Sequence, residues 1–207
     1  MNRKIVIFGG TFNPIHNGHL RMARSLLKKF KPARTLFIPC HIPYHKNYQG
    51  LAAPKYRLNM ARLAVAGVRG LAVSDMDIKR GGRTFSIDTL KSLKRKYRAQ
   101  TEFYFVIGAD SLVDLPHWYK IGELSRLCRF ITIARPGYHF AKLVKHLPAY
   151  LIKDIKQLYQ ADIRIDISST QIRKNIRAGK SVKSLVPKAV ESYIKKHRLF
   201  ETTDTHR

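Results

Sequence analysis

Acidic residues are scarce in this chain. Thirteen Asp and Glu stand against 40 Lys and Arg in 207 residues, a formal charge of +27. An ordinary globular surface needs no such excess, so partners that carry negative charge are the first expectation. Cysteine is scarcer still. Cys40 and Cys128 are too few for a disulfide framework and lack the spacing and neighbours of a zinc site, so two reduced thiols are expected. No apolar run approaches the ~20 residues that a membrane span requires. The opening Met1-Asn2-Arg3-Lys4-Ile5-Val6-Ile7-Phe8 is too short for the core of a signal peptide, and the expectation is a soluble, cytoplasmic protein. Internal repeats, low-complexity segments and linkers are missing too, which leaves one domain over residues 1–207.

What is present is the composition of a folded domain, 44% hydrophobic and 26% charged. Ile5-Val6-Ile7-Phe8 closed by Gly9-Gly10 reads as a strand covered on both faces. A helix follows over residues 18 to 30, with Leu20, Ala23, Leu26, Leu27 and Phe30 at steps of three and four. The alternation continues with a strand over 35 to 38, a helix over 56 to 66 and a weaker strand over 71 to 74. Next come a helix over 86 to 97 with Ser86 as its N-cap, and a strong strand over 103 to 107. Ala109-Asp110-Ser111 then starts a helix, and residues 130 to 134 form another strand. Beyond it the pattern predicts a helix over 147 to 159, a short strand over 163 to 165, and helices over 169 to 178 and 187 to 197. Strand and helix alternate through two thirds of the chain and helices dominate the end. The fold expected is α/β, a doubly wound parallel sheet with a helical C-terminal part.

Ligands of such a sheet sit at the carboxyl ends of its strands. The loop there is Gly9-Gly10-Thr11-Phe12-Asn13-Pro14-Ile15-His16-Asn17-Gly18-His19-Leu20. Its glycines allow a tight turn and a close backbone approach, and the amides of Thr11 and Phe12 can face an anion. His16 and His19, three apart at a helix start, can point the same way, and phosphate is the matching anion. A His-x-x-His pair taken alone also serves as surface decoration or core filler. No Cys, Asp or Glu lies between Phe8 and Phe37 to complete a metal site, and neither a Walker A nor a Gly-x-Gly-x-x-Gly pattern is present. Far downstream, Ser168-Ser169-Thr170 caps a helix and places Arg173 one turn in, where a guanidinium can fork onto phosphate oxygens.

Residues 10 to 19 resemble the phosphate-binding signature of nucleotidyltransferases with a Thr/His-x-Gly-His motif, and residues 9 to 20 more narrowly resemble the bacterial nicotinate-nucleotide adenylyltransferase family. Asp166-Ile167-Ser168-Ser169-Thr170-Gln171-Ile172-Arg173 is similar to that family's Ile-Ser-Ser-Thr-x-Ile-Arg signature. Asn13 stands where the family often has Asp, and Ser86 where Thr is usual. The resemblance implies a Rossmann-like sheet and transfer of an adenylyl group from ATP to nicotinate mononucleotide, giving deamido-NAD and pyrophosphate. It implies that His16 and His19 meet the α-phosphate, that Gly9, Gly10 and the amides of Thr11 and Phe12 hold the phosphates, and that Lys46, Ser168 and Arg173 hold the leaving pyrophosphate. Ser169 and Thr170 fall in the same ATP-binding signature. Gly108 and Asp110 would hold the ribose and adenine of ATP. His45, Ser86, Trp118 and Tyr119 would meet the nicotinate nucleotide, with Trp118 as the stacking face. Mg²⁺ is expected on the triphosphate oxygens and water, with no metal site made by the chain itself. Rival readings are a nicotinamide mononucleotide or other small phosphate-ester nucleotidyltransferase and, from the charge alone, a nucleic-acid-binding protein. Against the last, no zinc-finger, RNP or leucine-zipper pattern is present, so contact with nucleic acid would be non-specific.

Overall fold

The computed structural model describes residues 3–44, 50–163 and 166–201. Strand β1 (Lys4–Gly10) leads through the Gly9-to-His16 loop into helix α1 (Asn17–Phe30), and β2 (Arg34–Pro39) follows. A two-residue strand β3 (Ile42–Pro43) precedes α2 (Pro54–Val65), β4 (Leu71–Val73), the short α3 (Met76–Arg80) and β5 (Arg83–Thr84). Then come α4 (Ser86–Lys96), β6 (Glu102–Gly108), two 3-10 turns (Ala109–Leu112 and Leu115–His117), α5 (Ile121–Leu127) and β7 (Arg129–Ile133). The described elements end with α6 (Phe140–Val144), α7 (Ala149–Gln157), β8 (Tyr159–Gln160), α8 (Ser169–Arg177) and α9 (Lys188–Lys196).

Six strands form one parallel sheet in the order β4-β2-β1-β6-β7-β8, and β3 pairs with β5 in a separate parallel ribbon. The chain lays strands to one side of β1, then returns to lay β6 and its successors on the other. The expected doubly wound architecture is therefore present, and its switch point lies between β1 and β6, where a crevice opens at the strand ends.

Period-two alternation explains why these strands read as unbroken apolar runs. Val6, Phe8, Phe37, Tyr104 and Val106 face one core with α1, α2, α8 and α9, while Ile5, Ile7, Leu36, Phe103 and Phe105 face a second core with α4, α5 and α7. Truncating a side chain such as Leu26 or Leu90, both wholly buried, removes about 2–5 kcal/mol.

Several boundaries differ from the sequence expectations. Ser86 is the first helical residue of α4 and Phe85 its N-cap, with no side-chain capping bond. Residues 109 to 112 make a 3-10 turn where a helix was expected. The helix expected over 147 to 159 stops at Gln157 because Tyr159 and Gln160 pair with Thr132 and Ile133. Of the strand expected over 163 to 165, Ile163 is buried without strand pairing, and Arg164 and Ile165 lie outside the described residues. Elements of five to seven residues (α3, α5, α6) and the two-residue strands carry too few apolar repeats to show a period.

Candidate active site

The loop after β1 turns at Phe12, which adopts a left-handed φ of 49° and drops its ring into the core against Phe37 at 5.6 Å. Burying the ring turns backbone, not side chain, toward the crevice. Gly9 keeps an ordinary φ, so its role differs from the tight turn expected. A Cβ there would stand 2.7 Å from Cζ of Phe105, whose ring crosses over it from β6. At the end of β6, any side chain on Gly108 would collide with Oδ1 of Asp110. Both glycines make room for neighbours at the switch point.

His16 is the N-cap of α1 and is only 4% exposed, and its ring stacks on His19 with centroids 3.7 Å apart. The backbone amide of His16 donates to Nδ1 of His19 at 3.2 Å. That bond requires an unprotonated Nδ1, which leaves the proton of His19 on Nε2. Burial, followed by the positive charges of Arg135 and Arg21, pushes the pKa of His16 down to about 3, so it is neutral at ordinary pH. Its Nδ1 is buried without a hydrogen-bond partner among the described residues, in the wall of a cleft.

The two sequence motifs meet in space. Ser169 donates from Oγ to the carbonyl of Pro14 at 2.8 Å, and Arg173 donates from Nη1 to the carbonyl of Asn13 at 2.9 Å and from Nη2 to Oγ1 of Thr170 at 3.4 Å. Only Ser168 caps α8, accepting from the amide of Gln171 at 3.2 Å, so the three hydroxyls expected as caps divide into one cap, one tether to the first loop (Ser169) and one acceptor for Arg173 (Thr170). Burial and the neighbouring Arg177 lower the pKa of Arg173 below the usual guanidinium value.

These groups line a cleft of about 620 Å³ that holds Gly9, Gly10, Thr11, Phe12, His16, His19, Gly108, Asp110, Ser168, Ser169, Thr170 and Arg173. A second pocket of about 200 Å³ adjoins it and contains Ser86, Trp118 and Tyr119. Gly9, Gly10, Thr11, Phe105 and Trp118 belong to both walls. Every site residue expected from sequence lies in one pocket or the other, except His45 and Lys46, which lie outside the described residues.

Reading the sequence missed several lining groups. Arg135 forms an ion pair with Asp110, Nε to Oδ1 at 3.3 Å, and sits at the carboxyl end of β7, the position that should have drawn attention to it. Phe85 is the hub of an aromatic arch over the smaller pocket, 4.6 Å from Tyr44 and 4.8 Å from Tyr119. Asp77 is buried beside it, accepts from Thr89 at 2.7 Å and pairs with Arg80 at 2.7 Å, and burial raises its pKa. Asn13 uses both ends of its amide, donating to the carbonyl of Gly50 at 3.1 Å and accepting from the amide of Ala52 at 2.9 Å. A carboxylate could accept from Ala52 but has no proton for Gly50, which gives the Asp-to-Asn departure a local reason.

A parallel sheet with a polar cleft at its switch point, walled by helix N-termini, defines a nucleotide-binding α/β protein. The chain belongs to the cytidylyltransferase-like family, whose model matches residues 7–175. It is 40% identical over 212 residues to a protein of Citrifermentans bemidjiense named "Probable nicotinate-nucleotide adenylyltransferase", with 95% of this chain and 98% of that one covered. A Synechococcus protein of the same name is 40% identical over 199 residues, covering 96% and 98%. Among solved structures, nicotinic acid mononucleotide adenylyltransferase of Plasmodium falciparum complexed with NaAD superposes with a TM-score of 0.74 at 22% identity, over 96% of this chain and 97% of that one. That likeness is one of fold.

Proposed function

We propose that this chain catalyses adenylyl transfer from ATP to nicotinate mononucleotide, releasing pyrophosphate and forming deamido-NAD, a step of NAD biosynthesis. Relatives of that name match nearly the whole chain. The observation that carries the reading is the pair of adjoining pockets, one polar and one aromatic, with Gly9, Gly10 and Thr11 as common wall. Two nucleotides held there would bring their phosphates together.

The 5′-phosphate oxygen of the mononucleotide attacks the α-phosphorus of ATP in line. One P–O bond forms, the bond to the β-phosphate breaks, and the electron pair leaves with pyrophosphate. A phosphate monoester with a second pKa near ~6 is largely dianionic at neutral pH, so the attack needs no general base. The work left to the protein is positioning and charge neutralisation. His19, with its proton on Nε2, and neutral His16 donate to α-phosphate oxygens, whose charge grows in the transition state. The amides of Thr11 and Phe12 hold the phosphates. Ser168, Arg173 and Lys46 receive the pyrophosphate, with Ser169 and Thr170 beside them. Asp110 accepts from the ribose of ATP next to Gly108, while Trp118, Tyr119, Ser86 and His45 take the nicotinate nucleotide. Asp110 is the one carboxylate among the described walls of the larger cleft and is engaged by Arg135, so a magnesium ion arriving with ATP would be held by phosphate oxygens and water and would neutralise triphosphate charge.

The test is turnover of purified protein with ATP and either nicotinate or nicotinamide mononucleotide, with dinucleotide and pyrophosphate measured together. The reading requires both products and a preference for the nicotinate form. A clear preference for the amide rejects the substrate, and absence of pyrophosphate rejects the reaction.

A further inference from the structure

Arg57 is the largest fully buried side chain among the described residues, 1% exposed. It occupies α2 among Leu58, Met60 and Ala61, where an apolar residue would fill the space without burying a charge. No ion pair among the described residues includes it. Its guanidinium instead donates to four backbone carbonyls: Nε to Ala52 at 2.9 Å, Nη1 to Thr11 at 3.0 Å and Cys40 at 2.6 Å, and Nη2 to His41 at 2.5 Å.

Each carbonyl belongs to a different part of the site wall. Thr11 lines both pockets, and Cys40 lines the smaller one. His41 continues into the β3–β5 ribbon, where its amide donates to Oγ1 of Thr84 at 3.0 Å, and Thr84, Phe85 and Ser86 line the smaller pocket. The amide of Ala52 is held by Asn13 of the first loop at 2.9 Å, and neighbouring Leu51 lines the larger cleft.

We propose that Arg57 is a positioning residue that fixes the larger cleft against the smaller pocket, so that the two bound phosphates meet in line. This inference rests on the adenylyl-transfer reading. A planar guanidinium fixes angles as well as distances across several acceptors, which an ammonium cannot do. Each pocket keeps its own lining when the fork is lost, so binding of either substrate alone survives. Their alignment does not, and a misplacement of ~1 Å costs about 100-fold in rate.

The experiment compares wild type with Arg57→Lys and Arg57→Gln, with folding checked by circular dichroism. Trp118 is the only tryptophan and lines both pockets, so its fluorescence reports binding of a non-hydrolysable ATP analogue alone and of nicotinate mononucleotide alone. In the folded Lys variant kcat falls about 100-fold while each separate Kd stays within about threefold. A kcat within about threefold of wild type overturns the proposal, as does a kcat loss matched by equal losses in both separate affinities. If neither variant folds, arginine-labelled wild type decides by NMR. The slowest-exchanging Nε–H must keep its protection when both ligands are bound, and exchange as fast as that of exposed guanidiniums in the bound state overturns the proposal. Failure of the broader reading is separately visible, because wild type would then make no dinucleotide whatever the Arg57 variants do.

Discussion

The two pockets share a wall yet are built differently. The larger is made of strand ends, the loop after β1, the turns after β6 and β7 and the start of α8, with most of its polar groups drawn from two short motifs. The smaller adds to the shared wall of β1 and β6 residues from β2, β3, α3, β5, α4 and the turn before α5, and its roof is the aromatic arch of Tyr44, Phe85 and Tyr119. A site for phosphate can be assembled from backbone amides and a few fixed donors, so its residues cluster in short motifs, even where two such motifs lie far apart in the chain. A site for an aromatic ring needs faces from several directions, and these come from wherever the fold brings them.

The largest effect should come from the larger cleft. His19→Ala lowers kcat at least ~100-fold with folding intact, the scale of losing one oriented donor to the transition state. Steady-state kinetics with both substrates saturating checks this. Near-normal turnover would remove His19 from the chemistry and with it the functional contrast between the pockets.

The legibility of the molecule follows the same division. Ile5 to Phe8 and Phe103 to Ile107 were readable because a strand buried on both faces leaves a run of apolar residues, and the motif from Gly9 to His19 was readable because it is continuous. Phe85 and Asp77 were not, since an aromatic between two short elements, or an acid in a five-residue helix, looks like any core or cap residue. Arg57 left a trace, a cation at an inward position of an otherwise apolar helix face, but the four carbonyls that explain it come from loops that no local pattern brings together.

The next effect concerns stability. His16 has a folded pKa of about 3 against about 6.5 in the unfolded chain, so below pH 6.5 the unfolded state binds a proton that the folded state refuses. Stability from this group is complete above pH 6.5 and is lost as pH falls toward 3, by up to about 1.4 kcal/mol per pH unit and so about 2 kcal/mol between pH 6.5 and 5. Urea unfolding of wild type and His16→Gln at both pH values isolates the contribution, and the variant should lose less on acidification. Parallel losses would show that His16 is charged or hydrated in the folded protein. A smaller effect comes from the arch. Phe85→Ala removes a ring with two aromatic neighbours and should raise KM for nicotinate mononucleotide about tenfold, leaving KM for ATP unchanged. If both constants rise together, the pockets are not separable in the way the geometry describes.

The smallest effect bears on the +27 charge. The two substrates carry similar net charges near neutral pH, about −2 for the magnesium complex of ATP and about −2 for nicotinate mononucleotide with its pyridinium. Their surroundings differ. Arg135 and Arg173 line the larger cleft, whereas no Lys or Arg lies in the described wall of the smaller pocket. Raising salt from about 0.1 to 1 M shrinks the screening length from about 10 to 3 Å, so long-range attraction fades while contacts inside the site persist. If the local cations attract the substrate, kcat/KM for ATP should fall severalfold more steeply than that for the mononucleotide, with kcat little changed. Equal slopes would instead assign the attraction to the field of the whole surface, which does not distinguish one pocket from the other. The two slopes, measured on one preparation, therefore decide whether the charge excess acts at the site or only around it.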